Sequence, residues 1–276
     1  MKGTLGLLGF SVVLLASPCA QADDWDAYNQ WWLKHYYYFD PKAFTSIACD
    51  VDSSELDDGA ANLLASHPAL KAEPTLYKVS VDNAGHIQVS DPILQLDAVN
   101  PSAAVEVPLV KEMVQSKYQL LAESIDRDIQ AVVGNYTPPD RRDEVIEKFV
   151  LTEDGAALTR SEPQNHGLST ITVHGPDFSS QTIQNVTIGG TAMHAQGVVN
   201  AHYDLVDGKY LLASQDQDAM QQAAGTQSRL VVKMTVDYQM VSGIRFPKTA
   251  EFKDGPGSDF FGRDDRVEFM DCKVTK

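Results

Sequence analysis

The sequence predicts an α+β protein in which a strongly curved antiparallel sheet, an incomplete barrel formed by a meander, is covered by two long helices. Two observations predict this fold. Apolar residues recur every three or four positions over 23–39 and 109–133, which is typical of amphipathic helices. From about residue 144 onward, apolar and polar residues alternate, which is typical of strands. Two long apolar stripes offer more surface than one flat sheet face buries, so we expect the sheet to curl around the helices.

The chain begins with a segment that is typical of a cleaved signal peptide. Lys2 precedes a short apolar run, and the small residues Ala20 and Ala22 stand where signal peptidase reads them. The run is shorter than the roughly 20 residues of a membrane span, and no later segment is apolar for that long. We therefore expect cleavage after Ala22, so that 1–22 is lost and 23–276 is a single domain, periplasmic or secreted, without a transmembrane segment.

Each predicted helix has a recognisable end. The helix over 23–39 should stop before Pro41, because the residue that precedes a proline avoids the α region. Its aromatic stripe favours a helix docked on the sheet over a lid or a partner-binding face: Trp25, Tyr28, Trp32, Tyr36 and Phe39. The helix over 109–133 should begin near Pro108 and end at Gly134. Its apolar stripe contains Val114, Tyr118, Leu121, Ile125, Ile129 and Val132.

The strands of the meander are predicted from alternation and from short turns. Asp154-Gly155 and Asp207-Gly208 each separate two β-prone runs and are typical of tight hairpins. The predicted strands cover 146–152, 156–161, 168–174, 182–188, 194–206, 209–214, 228–240, 244–252 and 266–274. Upstream, a loop or a short helix is expected over 52–72 and a hairpin over 76–89, whereas the role of the wider segment 52–105 is not predicted.

Cysteine usage indicates one disulfide. Cys19 lies in the leader, which leaves Cys49 and Cys272 near opposite ends of the mature chain. A single pair of cysteines in an oxidising compartment more often forms a bridge than stays reduced. We therefore predict a bond between Cys49 and Cys272, joining the first strand of the domain to the last.

Charge and motif content exclude several functions. The formal charge of −16, or −17 without Lys2, repels nucleic acid. The seven histidines include no His-Glu-x-x-His pair, and no nucleophile motif is present, so we expect no metal, no cofactor and no catalytic residue. A carboxylate-rich stretch lacks the spacing of a calcium loop and is interpreted as a solvated turn: Asp254, Asp259, Asp264 and Asp265.

One strand pair carries a resemblance to a known family. After a leader, an N-terminal helix and a long amphipathic helix comes a meander that contains LVVKMTVDYQMVSGIRFP from Leu230 to Pro247. This order resembles the periplasmic lipoprotein-carrier family and its outer-membrane lipoprotein-sorting relatives. The likeness covers 209–252 best and extends loosely over 146–274. It implies an incomplete barrel around an apolar cavity with helices over it, and it implies no catalytic residues.

The resulting functional prediction is a binding or carrier protein for an apolar ligand. The ligand is a lipid, an acyl chain or a lipoprotein, and an envelope protein is a further possible partner. The expected lining residues are Val232, Met234, Val236, Tyr238, Met240, Met113 and Leu121. The alternative is a structural or interaction protein of the cell envelope with a filled core, and a hydrolase ranks third. A connected apolar cavity distinguishes the first two functions, because a scaffold should pack solid.

Overall fold

The part of the chain that the computed structural model describes contains three helices and fourteen strands. The residues it describes are 18–40, 42–65, 67–68, 70–74, 76–90, 94–99, 106–136, 145–162, 167–188, 191–223, 225–258 and 264–276. The helices are α1 (Pro18–His35), α2 (Ser54–Leu64) and α3 (Glu106–Gly134). The strands are β1 (Ser46–Ser53), β2 (Leu70–Pro74), β3 (Tyr77–Asp82), β4 (Ile87–Ser90), β5 (Leu94–Ala98), β6 (Val145–Leu151), β7 (Gly155–Glu162), β8 (Gly167–His174), β9 (Asp177–Ile188), β10 (Thr191–Val206), β11 (Lys209–Ala223), β12 (Thr226–Val241), β13 (Ile244–Asp254) and β14 (Asp265–Thr275).

Twelve of these strands form one antiparallel sheet. Their order is β4-β3-β1-β14-β13-β12-β11-β10-β9-β8-β7-β6, so β4 and β6 are edge strands and the sheet does not close. From β6 to β14 each strand pairs with the strand that follows it in the chain. All nine strands predicted downstream of residue 144 are present, several of them longer than expected. The strands β2 and β5 pair separately as a small second sheet.

The prediction that two long helices cover the sheet is wrong. The open twelve-stranded sheet dominates the molecule, and three helices accompany it. Helix α1 ends at His35 rather than at 39, because the backbone N–H of Tyr37 donates to the carbonyl oxygen of Tyr210 on β11 at 2.8 Å. Part of the apolar stripe of α3 packs on α2, where Leu121 Cδ2 lies 2.1 Å from the position of a β-carbon added to Gly59. Helix α3 therefore packs on another helix as well as on strands.

The segment 52–105 supplies elements that the sequence left unplaced. It contains α2 and the strands β2 to β5. The expected hairpin forms as β3 and β4, with Val79 opposite Val89, and it extends the main sheet beyond β1. Gly85 has φ 87°, a conformation that favours glycine in this turn.

One face of the sheet carries most of the core. On β8 and β10 the buried residues alternate with exposed ones, and they include Ile171, Val173, Ala201 and Tyr203. We call this the inner face of the sheet and the opposite side the outer face. Helix α1 packs on the inner face through Trp32, whose ring centroid lies 6.3 Å from Phe178 and 6.2 Å from Tyr203. The aromatic stripe of α1 thus docks on the sheet.

The predicted disulfide is present. The sulfur atoms of Cys49 and Cys272 are 2.06 Å apart, across a sequence separation of 223. The two residues lie on β1 and β14, which pair directly in the sheet. The bond therefore joins the first strand of the chain to the last.

The carboxylate of Asp265 corrects the interpretation of the acidic stretch as a solvated turn. Asp265 is 3% exposed and accepts hydrogen bonds from the hydroxyls of Ser53 and Ser54 and from the backbone N–H of Glu55. Ser53 is also the N-cap of α2 and accepts from the N–H of Leu56 at 3.2 Å. A negative charge at the N-terminus of a helix is favourable, which explains why this carboxylate is buried.

Candidate functional site

The candidate site is a groove on the inner face of the sheet, formed by β9 to β12. Eight inner-face residues line it in two cross-strand rows. The first row is Thr182, Gly197, Ala219 and Leu230, and the second is Gln184, Ala195, Gln221 and Ser228. Gln196 and Met220 complete the lining. The groove encloses about 340 Å³, near the lower end of the roughly 300 to 1,000 Å³ of known ligand pockets.

Small residues create this space. Gly197 and Ala219 face each other across β10 and β11, and Ala195 lies two residues along the chain from Gly197. A β-carbon added at Gly197 lies 3.8 Å from the β-carbon of Ala219, which is ordinary van der Waals contact. The position therefore has room for a side chain that the sequence does not supply, and the floor of the groove is open because of it.

The rim of the groove is polar but uncharged. Thr182, Gln184 and Ser228 are half-buried, whereas Gln221 is exposed. The hydroxyls of Thr182 and Ser169 lie 3.0 Å apart, which ties the rim to the buried part of β8. The groove therefore combines an apolar floor with hydrogen-bonding groups along one side.

The charged groups nearest in sequence to the groove lie on the outer face. Arg229 holds Asp218 through two contacts, Nε to Oδ1 at 2.9 Å and Nη2 to Oδ2 at 2.5 Å. The hydrogen bond from Arg229 and its positive charge hold the pKa of Asp218 below its ordinary value. Both residues line a second depression of about 310 Å³ on that face, together with the exposed side chains of Leu168 and Ile183.

The predicted lining residues of β12 lie beside and below the groove. Val232 is half-buried and lies one row from Leu230, on the same face of the strand. Met234 and Val236 follow in the next rows and are 4% and 7% exposed, within the buried core. All three residues lie on the inner face of β12, but the groove is lined by Leu230 and not by them.

The remaining predicted lining residues are dispersed. The Tyr238 hydroxyl donates to the carbonyl oxygen of Leu212 at 2.6 Å and is hydrogen-bonded to the Tyr136 hydroxyl. Burial raises the pKa of Tyr238 above its ordinary value. Met240 is 60% exposed, and Leu121 lies between α2 and α3. The side chain of Met113, on α3, lies outside the described residues. Tyr238, Met240 and Leu121 therefore do not lie around one cavity.

Sequence reasoning missed the residues that open the groove. Ala195, Gly197 and Ala219 occupy inner-face positions where the alternation would place large apolar side chains. Their signal in the sequence is the run Ala195-Gln196-Gly197 inside a long strand. Its meaning depends on the register with β11, which sequence reasoning did not supply.

The described residues contain neither a metal-binding cluster nor a membrane-spanning helix. No group of three or more histidine, cysteine, aspartate or glutamate residues among them could hold a metal ion. Nor does any helix in the described ranges have the length and apolar character needed to cross a bilayer. Comparison with protein-family models, with curated proteins and with solved structures finds no match to this chain.

Proposed function

We propose that this protein binds an apolar molecule, a lipid or an acyl chain, in the groove on the inner face of β9 to β12. The observation that carries the proposal is the open floor at Gly197 and Ala219, with Leu230 and Val232 on the neighbouring strand. The groove crosses four strands, a width of about 14 Å at the usual strand spacing. An unbranched chain that lies across the strands would contact this floor and replace the water there. The resemblance to lipoprotein carriers agrees with this proposal and remains a prediction.

We also infer that the protein acts in the periplasm or outside the cell. Two observations support this compartment: the sequence begins like a signal peptide, and the disulfide would persist in an oxidising environment. Residues 1–17 lie outside the described residues. The intact mass of the exported protein tests cleavage after Ala22. A mature chain that starts at Cys19 with added acyl mass would contradict the prediction.

The groove is tested by filling it. Gly197→Val places two methyl groups in the space above the floor. Because Gly197 has no positive φ and its added β-carbon meets only ordinary contacts, we expect the melting temperature to stay the same or to rise. Binding of a pyrene-labelled acyl ester, followed by fluorescence titration, should weaken at least tenfold.

A matched control separates filling of the groove from a general effect of the substitution. Ala157→Val also enlarges a small strand residue, but Ala157 is exposed on β7, away from the groove. It should leave both stability and probe binding unchanged. The proposal fails if the parent protein shows no saturable binding, or if Gly197→Val binds the probe as tightly as the parent does.

A second candidate function is an interaction protein of the cell envelope, favoured by the outer face. Leu168 and Ile183 are each 46% exposed there and lie side by side on β8 and β9. A protein partner that buries this patch requires no ligand in the groove. Loss of probe binding in Gly197→Val therefore favours the first function, and absence of probe binding in the parent favours the second.

A further inference from the structure

The polar rim of the groove indicates what kind of head group accompanies the acyl chain. This inference rests on the proposed function. None of the ten residues that line the groove carries a charge. The second row places two amides and a hydroxyl beside the small-residue floor, on Gln184, Gln221 and Ser228. These groups both donate and accept hydrogen bonds.

A head group must satisfy both properties of this rim. A carboxylate or a phosphate only accepts hydrogen bonds, and it loses hydration without meeting a cation among the lining residues. An ammonium group only donates. An uncharged ester with free hydroxyls donates and accepts, so it matches the amides of Gln184 and Gln221. We propose that the groove recognises an uncharged amphiphile, an acyl chain joined to a neutral hydroxyl-bearing head such as a glyceryl ester.

The net charge of the protein also favours an uncharged ligand over an anionic one. A formal charge of −16 repels an anionic ligand as it approaches. The half-buried Arg160 on β7 lies on the inner face beyond the groove, opposite Ser169, which in turn stands opposite Thr182. Arg160 is therefore two strands, or about 10 Å, from the edge of the lining. It is the alternative anchor if the head group is an anion.

The experiment compares ligands that share one chain and differ only in the head group. Monolaurin is uncharged, laurate is anionic, and lauryl ammonium is cationic. Each ligand is titrated by calorimetry against the parent protein and against Gly197→Val, Gln184→Leu, Gln221→Leu and Arg160→Gln. The control is Gln222→Leu, because Gln222 follows Gln221 on β11 and is exposed on the outer face.

Monolaurin should bind the parent protein at least tenfold more tightly than laurate or lauryl ammonium. Gln184→Leu and Gln221→Leu should each weaken monolaurin about threefold to tenfold, which is the range expected for one lost hydrogen bond, and should leave laurate unchanged. Gln222→Leu and Arg160→Gln should bind monolaurin like the parent.

Two results overturn the inference in distinguishable ways. If laurate binds as tightly as monolaurin, and both are lost in Gly197→Val, the groove binds acyl chains but the head group is not selected for neutrality. A specific loss of laurate binding in Arg160→Gln would then assign an anionic head to Arg160. If no lauryl compound binds the parent, the proposed function fails together with this inference.

Discussion

Removal of the Asp265 carboxylate should destabilise the protein more than replacement of an exposed aspartate or glutamate does. The carboxylate is buried between β14 and the N-terminus of α2, and it holds the two elements together. Its Oδ1 accepts from Ser53 at 3.0 Å, from Ser54 at 3.1 Å and from the backbone N–H of Glu55 at 2.9 Å. The Ser54 hydroxyl in turn accepts from the N–H of Arg266 at 2.9 Å, so the network connects both backbones.

The expected cost follows from these contacts. A hydrogen bond to a charged group contributes about 1.5 to 3 kcal/mol, and a charge near a helix N-terminus adds roughly 0.3 to 2 kcal/mol. The contributions are not additive, because Ser54 is exposed and water replaces part of its loss. We expect Asp265→Ala to lower the free energy of unfolding by about 3 to 5 kcal/mol. Asp265→Asn keeps an acceptor oxygen in the Oδ1 position but loses the charge and the Oδ2 acceptor, which lies 3.1 Å from the Ser53 hydroxyl, so it should cost about 1 to 2 kcal/mol.

Urea denaturation followed by tryptophan fluorescence measures both variants. The matched control is Asp264→Asn, because Asp264 precedes Asp265 in the chain and is exposed. It should change the free energy of unfolding by no more than about 0.5 kcal/mol. An Asp265→Ala variant that loses less than about 1 kcal/mol, with an unchanged m value, would refute the assignment of this network as a structural anchor.

Three further predictions concern the core, the disulfide and alkaline pH. Val236→Phe should lower the free energy of unfolding by about 1 to 3 kcal/mol, because Val236 is 7% exposed and lies in a filled core. Thermal unfolding measures this loss, and an unchanged melting temperature would indicate unfilled space beside Val236. Replacing both Cys49 and Cys272 by serine should lower the free energy of unfolding, measured in urea, by about 2 to 5 kcal/mol, since the bond joins residues with a sequence separation of 223. Ready alkylation of both thiols in the unreduced parent would contradict the bond. Burial, reinforced by nearby carboxylates, raises the pKa of Tyr118 from 10.0 to about 12. Above pH 10.0 the folded chain therefore keeps a proton that the unfolded chain loses, so stability falls as the pH rises toward 12. The hydroxyl of Tyr118 has no hydrogen-bond partner among the described residues, so Tyr118→Phe should match the stability of the parent at about pH 7. At about pH 11 the variant should be more stable than the parent. If both proteins lose the same stability between these pH values, the prediction is contradicted.

The limits of local reasoning are clearest in the first helix and in the acidic stretch. The aromatic stripe of 23–39 predicts a helix, but the helix ends at His35, because the backbone N–H of Tyr37 donates to Tyr210 on β11 and that of Phe39 donates to Tyr136. Likewise, Asp265 belongs to a carboxylate-rich run that is typical of a solvated turn. Its burial depends on Ser53, which is 212 residues away in the sequence. Contacts of this range leave no periodic signal in the chain.

The sequence by itself determined the strands and several of the turns that connect them. Alternation and turn residues are local properties, so the nine strands after residue 144 and the turn at Asp207-Gly208, with φ of 53° and 78°, follow from neighbouring residues. The cysteine count similarly determined the single bridge between Cys49 and Cys272.

Only the tertiary structure decided how the elements combine and where space remains. Helix α2 packs on α3, and α1 contacts particular strands, so the expected covering by two long helices does not form. The groove exists because the register of β9 to β12 brings Ala195, Gly197 and Ala219 together on one face. Each of these small residues is unremarkable in its own strand. Strand pairing places these small residues side by side, and a small side chain leaves open space only where its neighbours are small as well.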